Sequence, residues 1–181
     1  MANKAGGQEE PGLGGAVTAN RRAWEDWARV DPLWAVVTAP GQKNGQWDVD
    51  EFFTSGVATI DSLWAQSEAA GLPVAHRHAL DFGCGVGRLS RALGAHVDHV
   101  LGLDISASMI GAAEEHNTAY ANLDFAVHSA TDLGAFEDGA FDVVCSLLVL
   151  QHIPSVALIE GYVRELTRVL APGGVMMLGL P

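Results

Sequence analysis

One acid and three glycines stand together near the middle of the chain. Asp81 closes a short apolar run, and Gly83, Gly85 and Gly87 follow at alternate positions. Glycine has no Cβ, so the backbone can turn tightly there and a ligand can lie directly against it. A strand, a glycine turn and the start of a helix together form a cradle for nucleotides. The segment therefore predicts a nucleotide-type site, with a tight loop that holds no ligand as the alternative.

The spacing of the glycines separates two classes of nucleotide site. The dinucleotide fingerprint G-x-G-x-x-G requires a third glycine one place later. Arg88 stands at that place, and Gly87 comes one position early. A nicotinamide-dependent oxidoreductase is therefore the less favoured interpretation.

A second acid, Asp104, closes the next apolar run and is followed by Ile105. A carboxylate at this place can accept hydrogen bonds from both hydroxyls of a ribose, and its charge would repel a 2′-phosphate. Ile105 would offer an apolar face to an adenine. The alternative role for Asp104 is a helix cap, because Ser106 and a helical pattern come next.

Composition restricts the class of protein. The chain has 181 residues, of which 49% are hydrophobic and 18% charged, and its formal net charge is −12. Such a balance argues against a protein that grips nucleic acid by its phosphates, since that needs clustered Lys and Arg. Two cysteines, Cys84 and Cys145, form no CxxC pair, so we expect free thiols in a reducing cytoplasm. We find no signal-peptide pattern, and no apolar run approaches the ~18 residues that suggest a membrane span.

The N-terminal part divides into two stretches. Residues 1–18 are rich in glycine and polar groups, which predicts a disordered tail. Residues 19–75 hold all five tryptophans and predict two helices, 20–30 and a second helix that Asp50 caps and that ends near residue 70. This tryptophan-rich helical segment either packs as core against the rest of the chain or covers a substrate pocket.

From residue 76 onward, strand and helix patterns alternate. This alternation predicts an α/β fold with a doubly wound, mostly parallel sheet and helices on both faces. Ligands of such sheets bind at the carboxyl ends of the strands, where the strand order reverses. The predicted strands are 79–82, 97–104, 123–127, 141–148 and 175–180, and the predicted helices are 87–95, 106–121 and 155–170.

Four segments resemble motifs of the class I S-adenosylmethionine-dependent methyltransferases. They are the Asp81–Gly87 turn, Asp104, the Phe-Asp-Val-Val run at 141–144 and the R-x-L-x-P-G-G turn at 168–174, and they occur in the family's order. The resemblance covers residues 78–181. It implies a Rossmann-like methyltransferase fold, S-adenosylmethionine as methyl donor, and transfer of the methyl group to a small-molecule or protein acceptor.

The resemblance also implies which residues bind the cofactor. Asp81 and the glycine turn, through the backbone of Gly83 and Gly85, would hold the methionine end, and Asp104 would bind the ribose. Gly87 closes the same turn. Ile105 would face the adenine.

Two further pairs are implied by the same motifs. Residues 129 and 130 would meet the adenine edge, where many family members have an aspartate that accepts from the exocyclic amine. This chain has Ser129 there, which leaves the backbone of Ala130 as the alternative contact. Ser146 and Leu147 would close over the methionine portion.

The catalytic residues are not specified by any motif. His152 and Gln151, just after the fourth predicted strand, are candidates for a general base if the acceptor is a hydroxyl. A loop histidine that only packs or caps the next helix is the alternative. The pairs His76/His78 and His96/His99 lack partners at metal-ligand spacing, so no metal site is expected.

The family's sheet normally continues beyond its fifth strand, whereas this sequence ends at Pro181. We therefore expect a C-terminally truncated methyltransferase domain over residues 76–181, with an unpaired fifth strand that could self-associate. A non-catalytic interaction module is the alternative from a different functional class.

Overall fold

The computed structural model describes residues 13–72, 75 and 77–180. Five parallel strands form one sheet, in the order β3-β2-β1-β4-β5. The strands are β1 His78–Phe82, β2 His99–Asp104, β3 Leu123–Val127, β4 Phe141–Ser146 and β5 Leu170–Leu178. The helices are α1 Leu13–Val30, α2 Pro32–Val36, α3 Val49–Ala69, α4 Arg88–Leu93, α5 Ala107–His116 and α6 Val156–Val169, with a 3₁₀ turn at Leu150–His152.

The central strand β1 pairs with β2 on one side and β4 on the other. Ala79 lies opposite Val100 of β2 and Val143 of β4. The chain therefore leaves β1 in one direction to build β2 and β3, and in the other to build β4 and β5. This reversal of strand order places a crevice at the carboxyl ends of β1 and β4. Every residue of β4 is buried, as its apolar sequence predicted, and the predicted doubly wound parallel architecture is confirmed.

The first helix begins earlier than the sequence predicted. Residues 13–18 belong to α1, so the prediction of a disordered tail to residue 18 is wrong for them, while residues 1–12 lie outside the described part of the chain. The reason is a long-range contact. Ala16 and Val17 are buried in one hydrophobic cluster with Leu158 and Tyr162 of α6.

Two other helix ends differ from the predictions because of a side-chain hydrogen bond. Asp48, not Asp50, caps α3, because its carboxylate accepts a hydrogen bond from the backbone N–H of Glu51 at 2.9 Å. Helix α5 ends at His116 rather than near residue 121, because the buried amide of Asn117 donates to the carbonyls of Val86 and Ala113. Each end is therefore fixed by a side-chain hydrogen bond that helical periodicity does not reveal.

Smaller differences affect the strands. Strand β2 begins at His99 instead of residue 97, and β4 ends at Ser146 instead of residue 148. Strand β5 begins at Leu170, so the Pro-Gly-Gly turn lies inside it, at a point where the pairing with β4 shifts register between Phe141 and Val143. These boundaries move no predicted site residue away from the carboxyl edge.

The tryptophan-rich segment has two structural roles. Ile60 and Trp64 of α3 are buried in one cluster with Ala79 of β1 and Val100 of β2, so α3 is part of the main core. In contrast, α1 and α2 lie over the crevice at the carboxyl edge of the sheet. None of the helices in the described part of the chain is long and apolar enough to cross a membrane.

Candidate active site

A cavity lies at the carboxyl ends of the strands. Its empty volume, which includes the open mouth, is about 1050 Å³. Six of the residues predicted to bind the cofactor line it: Asp81, Gly83, Gly85, Asp104, Ile105 and Leu147. Gly87, Ser129, Ala130 and Ser146 do not line it.

The glycine turn has the backbone that its sequence predicted. Gly83, Gly85 and Gly87 have positive φ angles of 79°, 54° and 79°, which side chains disfavour. The N–H groups of Gly83 and Cys84 donate to the carbonyl of Leu103, which holds the turn against β2.

The three glycines are required for different contacts. A Cβ on Gly85 would lie 2.5 Å from a methyl of Val36, and one on Gly83 would overlap Val149. At both positions the space that a Cβ would take is filled by a valine that lines the cavity, so this packing requires glycine. A Cβ on Gly87 would lie 2.8 Å from the ring of Phe125, so that glycine serves packing behind the turn.

Asp104 presents its carboxylate at the cavity between two backbone donors. One oxygen accepts from Gly85 N and the other from Ser106 N, both at 2.9 Å. Burial raises the pKa of Asp104, and these hydrogen bonds oppose the shift. The hydroxyl of Ser106, and not Asp104, caps α5 by accepting from Met109 N. Each carboxylate oxygen of Asp104 accepts one backbone N–H and keeps a lone pair that can accept a proton from a hydroxyl.

Asp81 is the other carboxylate of the site and is almost completely buried. It accepts a hydrogen bond from the Ser90 hydroxyl at 2.6 Å. Burial raises the pKa of Asp81 to about 6, against the opposing effects of the Ser90 hydrogen bond and the Arg88 charge. Asp81 can therefore exchange a proton near neutral pH.

Helix α1 forms a wall of the cavity, which is one of the two roles that the sequence left open for the tryptophan-rich segment. Ala16, Val17, Asn20 and Trp24 all line it. The Asn20 amide donates to the carbonyl of His152 at 2.7 Å. At the opposite rim, Glu25 accepts from the N–H of Ala107 and the hydroxyl of Ser108, both at 2.6 Å. The helix is thus tied across the crevice at both rims.

His128 is a second lining residue that the motifs did not indicate. Its Nε2 atom is buried and has no hydrogen-bond partner among the described residues. The ring bonds the Asp132 backbone, and burial lowers the pKa of His128. The neighbouring residues predicted at the adenine edge, Ser129 and Ala130, are exposed, and the Ala130 carbonyl accepts from the Tyr162 hydroxyl.

The remaining predicted residues have clear positions. The buried hydroxyl of Ser146 donates to the Phe82 carbonyl at 2.9 Å, which ties β4 to β1. His152 lies at the mouth of the cavity with its ring edge-on to Trp24, at 5.3 Å between centroids. The amide of Gln151 lies 3.4 Å from His152 Nε2.

The other predicted histidines make pairs with single acids. His96 lies 2.8 Å from an oxygen of Asp61, and His99 lies 2.9 Å from one of Asp124. Among the described residues, no three His, Cys, Asp or Glu side chains come together as a metal site would need. His76 lies outside the described residues.

Comparison with known proteins identifies the family. A family model described as a methyltransferase domain matches residues 80–178, more than half of the chain. The chain belongs to the methyltransferase domain family. It is 34% identical over 136 residues to a ubiquinone biosynthesis O-methyltransferase of Methylococcus capsulatus, which covers 72% of this chain and 54% of that protein. The chain thus spans about half the length of the curated relatives it matches.

Solved structures share the fold of this chain. A Pyrococcus horikoshii protein of 27% identity aligns with 83% of this chain and 63% of its own, at a TM-score of 0.63. A Haemonchus contortus phosphoethanolamine N-methyltransferase, solved with phosphoethanolamine and S-adenosylhomocysteine, is 17% identical. It aligns with 89% of this chain and 31% of its own at a TM-score of 0.69, which shows a shared fold. The predicted resemblance to class I S-adenosylmethionine-dependent methyltransferases is confirmed, against the nicotinamide alternative.

Proposed function

We propose that this methyltransferase domain binds S-adenosylmethionine in the cavity and transfers its methyl group to a hydroxyl of a small molecule. The observation that supports it most is that Asp81, the glycine turn and Asp104 line one cavity whose opposite wall is apolar. The bound cofactor would supply an electrophilic methyl group on a sulfonium. The protein's contribution is then to align donor and acceptor for in-line displacement.

Each lining residue has a distinct part in this proposal. The carboxylate of Asp81 pairs with the ammonium of the methionine end, which the backbone of the glycine turn approaches. Asp104 accepts from the ribose hydroxyls, and Ile105 packs on the adenine. Leu147 covers the methionine portion. Ser146 supports this wall through its hydrogen bond to Phe82.

The raised pKa of Asp81 predicts a pH dependence of binding. The pKa of Asp81 in the free folded protein is about 6, above its ordinary value of 3.8. The folded protein therefore holds this proton more tightly than the unfolded chain, and the stability gained from the protonated carboxyl is lost as pH rises through about 6. An ammonium ligand favours the carboxylate instead. S-adenosylhomocysteine should therefore bind more weakly as pH falls from about 7 to about 5, with release of a proton near pH 6.

Isothermal titration calorimetry in buffers of different ionisation enthalpy measures the number of protons released when the ligand binds. The variant Asp81→Asn should bind more weakly and lack the component with an apparent pKa near 6. Burial also raises the pKa of Asp104, so the comparison with Asp81→Asn separates the two carboxylates. An unchanged proton release in this variant would show that another group titrates.

We also propose that His128 takes over the adenine contact from Ser129. Because its other ring nitrogen bonds the Asp132 backbone, the buried Nε2 of neutral His128 is an acceptor for the exocyclic amine of adenine. If a carbonyl oxygen replaces that amine, it faces His128 Nε2, and two hydrogen-bond acceptors meet without a proton between them. S-inosylhomocysteine should therefore bind at least about tenfold more weakly than S-adenosylhomocysteine, and His128→Phe should reduce this preference. Equal discrimination by both proteins would assign the contact elsewhere, with the Ala130 backbone as the next candidate.

The acceptor half of the cavity supports a hydroxyl-bearing, apolar molecule. Its walls include Trp24, Leu158 and Tyr162, large side chains that suit an apolar small molecule. His152 is the candidate base at its mouth, since a neutral imidazole nitrogen can accept the proton of an acceptor hydroxyl. The name of the Methylococcus relative, an O-methyltransferase, agrees with this class of acceptor.

A methyl-transfer assay with a panel of phenols tests the function. S-adenosylhomocysteine should form only when a phenol is present, and His152→Ala should lower kcat by about 100-fold or more. Retained turnover in His152→Ala would exclude it as the base. Transfer to amines but not to phenols would contradict the hydroxyl acceptor, and cofactor binding without any transfer would favour a non-catalytic module.

Three broader proposals complete this interpretation. We divide the chain into an N-terminal helical segment to residue 75 and a cofactor-binding domain from residue 76. Both free cysteines are buried, which suits a reducing cytoplasm.

The outer edge of β5 lacks a neighbouring strand among the described residues, and we propose that it pairs with a second copy of the chain. Light scattering over a range of concentrations tests that pairing, and a monomer throughout would contradict it.

A further inference from the structure

A second groove runs along the outer side of α1 and α2. We call it the tryptophan groove; its lining consists of Asn20, Ala23, Trp24, Trp27, Trp34, Ala35, Thr38, His152 and Pro154. The rings of Trp27 and Trp34 lie 5.7 Å apart at 48°, and Trp27 is 43% exposed. Large aromatic side chains that stay accessible in a groove are typical of binding surfaces.

The tryptophan groove is continuous with the cavity of the proposed cofactor site. Five residues line both: Asn20, Trp24, Ala35, His152 and Pro154. The shared residues include the edge-on pair of Trp24 and His152. A ligand that lies along the groove therefore ends beside His152, where the acceptor hydroxyl must be.

A positive charge lies beside two of the tryptophans that line the groove. Lys43 Nζ lies 4.6 Å from the ring centroid of Trp34 and 5.9 Å from that of Trp27. No acidic side chain lines the groove, and no ion pair joins Lys43 to a carboxylate of the described residues. In a chain of net charge −12, this ammonium over two indoles suits an anionic group attached to a flat ring.

We propose that the tryptophan groove binds the distal part of the methyl acceptor. The acceptor is then a planar aromatic molecule with a hydroxyl at one end, beside His152, and an acidic group at the other, beside Lys43. This inference rests on the proposed function, since it extends the same site. It adds Trp27, Trp34 and Lys43 as residues that determine specificity without touching the reacting atoms.

The test uses two probes that differ by one carboxylate. We would measure 6-hydroxy-2-naphthoate and 2-naphthol by equilibrium dialysis, with and without excess S-adenosylhomocysteine. Wild-type protein should bind the acid about fivefold more tightly, as expected for one ion pair near the surface. Lys43→Met should abolish that preference and leave 2-naphthol binding unchanged. Trp27→Ala should weaken both probes by about tenfold, as loss of one stacking surface does.

A control variant that removes another positive charge separates a direct contact of Lys43 with the probe carboxylate from an effect of the protein's overall charge. Arg21 is an exposed cation on helix α1 that does not line the groove, so Arg21→Met should leave the preference intact. An equal effect of Arg21→Met and Lys43→Met would overturn the role of Lys43. Failure of the wild type to bind either probe, or full binding by Trp27→Ala, would overturn the groove itself.

The same samples separate this inference from the proposed function. A thermal shift with S-adenosylhomocysteine in all variants, together with unchanged probe binding, would contradict only the groove. Loss of that shift in the wild type would contradict the cofactor site, while the dialysis without cofactor would still report on the groove. If Trp27→Ala does not fold, Lys43→Met, an exposed position, decides the result.

Discussion

Replacement of Asp104 by alanine should weaken S-adenosylhomocysteine binding by about 100-fold or more. Two hydrogen bonds to a carboxylate contribute about 1.5–3 kcal/mol each, and Asp104 is placed to accept both ribose hydroxyls. The same change also removes the partner of Gly85 N, which loosens the glycine turn. Isothermal titration of the parent and the variant measures the ratio of dissociation constants.

A modified ligand distinguishes the ribose contact from damage to the turn. The parent should lose affinity for the 2′-deoxy analogue of S-adenosylhomocysteine, whereas Asp104→Ala should bind both ligands equally weakly. Asp124→Ala is a matched control, because it removes an exposed β3 carboxylate outside the cavity lining. If Asp104→Ala binds as tightly as the parent, or still discriminates between the ligands, the ribose assignment is wrong.

The second large effect is expected from Gly56→Ala in α3. A Cβ there would lie 2.5 Å from the backbone oxygen of Arg88 and 2.9 Å from its Cγ. Arg88 begins α4 directly after the glycine turn, so the backbone cannot withdraw without moving the cofactor site. The free energy of unfolding should fall by about 2–3 kcal/mol, the upper range for overpacking.

Another helical glycine provides the control for Gly56→Ala. Gly111 of α5 is exposed, and a Cβ would meet nothing within 4 Å. Gly111→Ala should therefore stabilise the protein by up to about 1 kcal/mol, through helix propensity and a less flexible unfolded chain. Urea denaturation gives both values. Equal stabilities of the two variants would mean that α3 is not packed closely on α4.

The sequence was sufficient to predict that Asp81, the glycine turn and Asp104 come together, and Asp81, Gly83, Gly85 and Asp104 line one cavity. Asp81, the glycine turn and Asp104 were predicted because each requirement is local: a positive φ, a close approach of backbone, and an acid at the end of a strand. The burial of β4 followed from its continuous apolar run. These features depend on neighbours within a few residues, so a motif can carry them.

The remaining features depend on contacts between distant segments. Gly14 and Gly15 read as part of a flexible tail, but burial of Val17 against α6 outweighs their low helix propensity. Nothing in the sequence around His128 shows that its Nε2 lies unpartnered in the cavity. Asp48 and Asp50 both stand where an acid can cap α3, and the sequence pattern does not distinguish between them; in the structure Asp48 is the cap. Sequence periodicity cannot decide such cases, because the deciding partner is remote or a single hydrogen bond.

A thermal melt of the purified chain with excess S-adenosylhomocysteine, and with NAD as control, tests the cofactor site most directly. A ligand at about 100 times its dissociation constant adds about 2.7 kcal/mol of stability, which raises the midpoint by roughly 5–10 °C in a domain of this size. We predict this rise with S-adenosylhomocysteine and none with NAD. A cooperative melt that S-adenosylhomocysteine leaves unmoved, or that only NAD shifts, would contradict the proposal that this cavity binds S-adenosylmethionine.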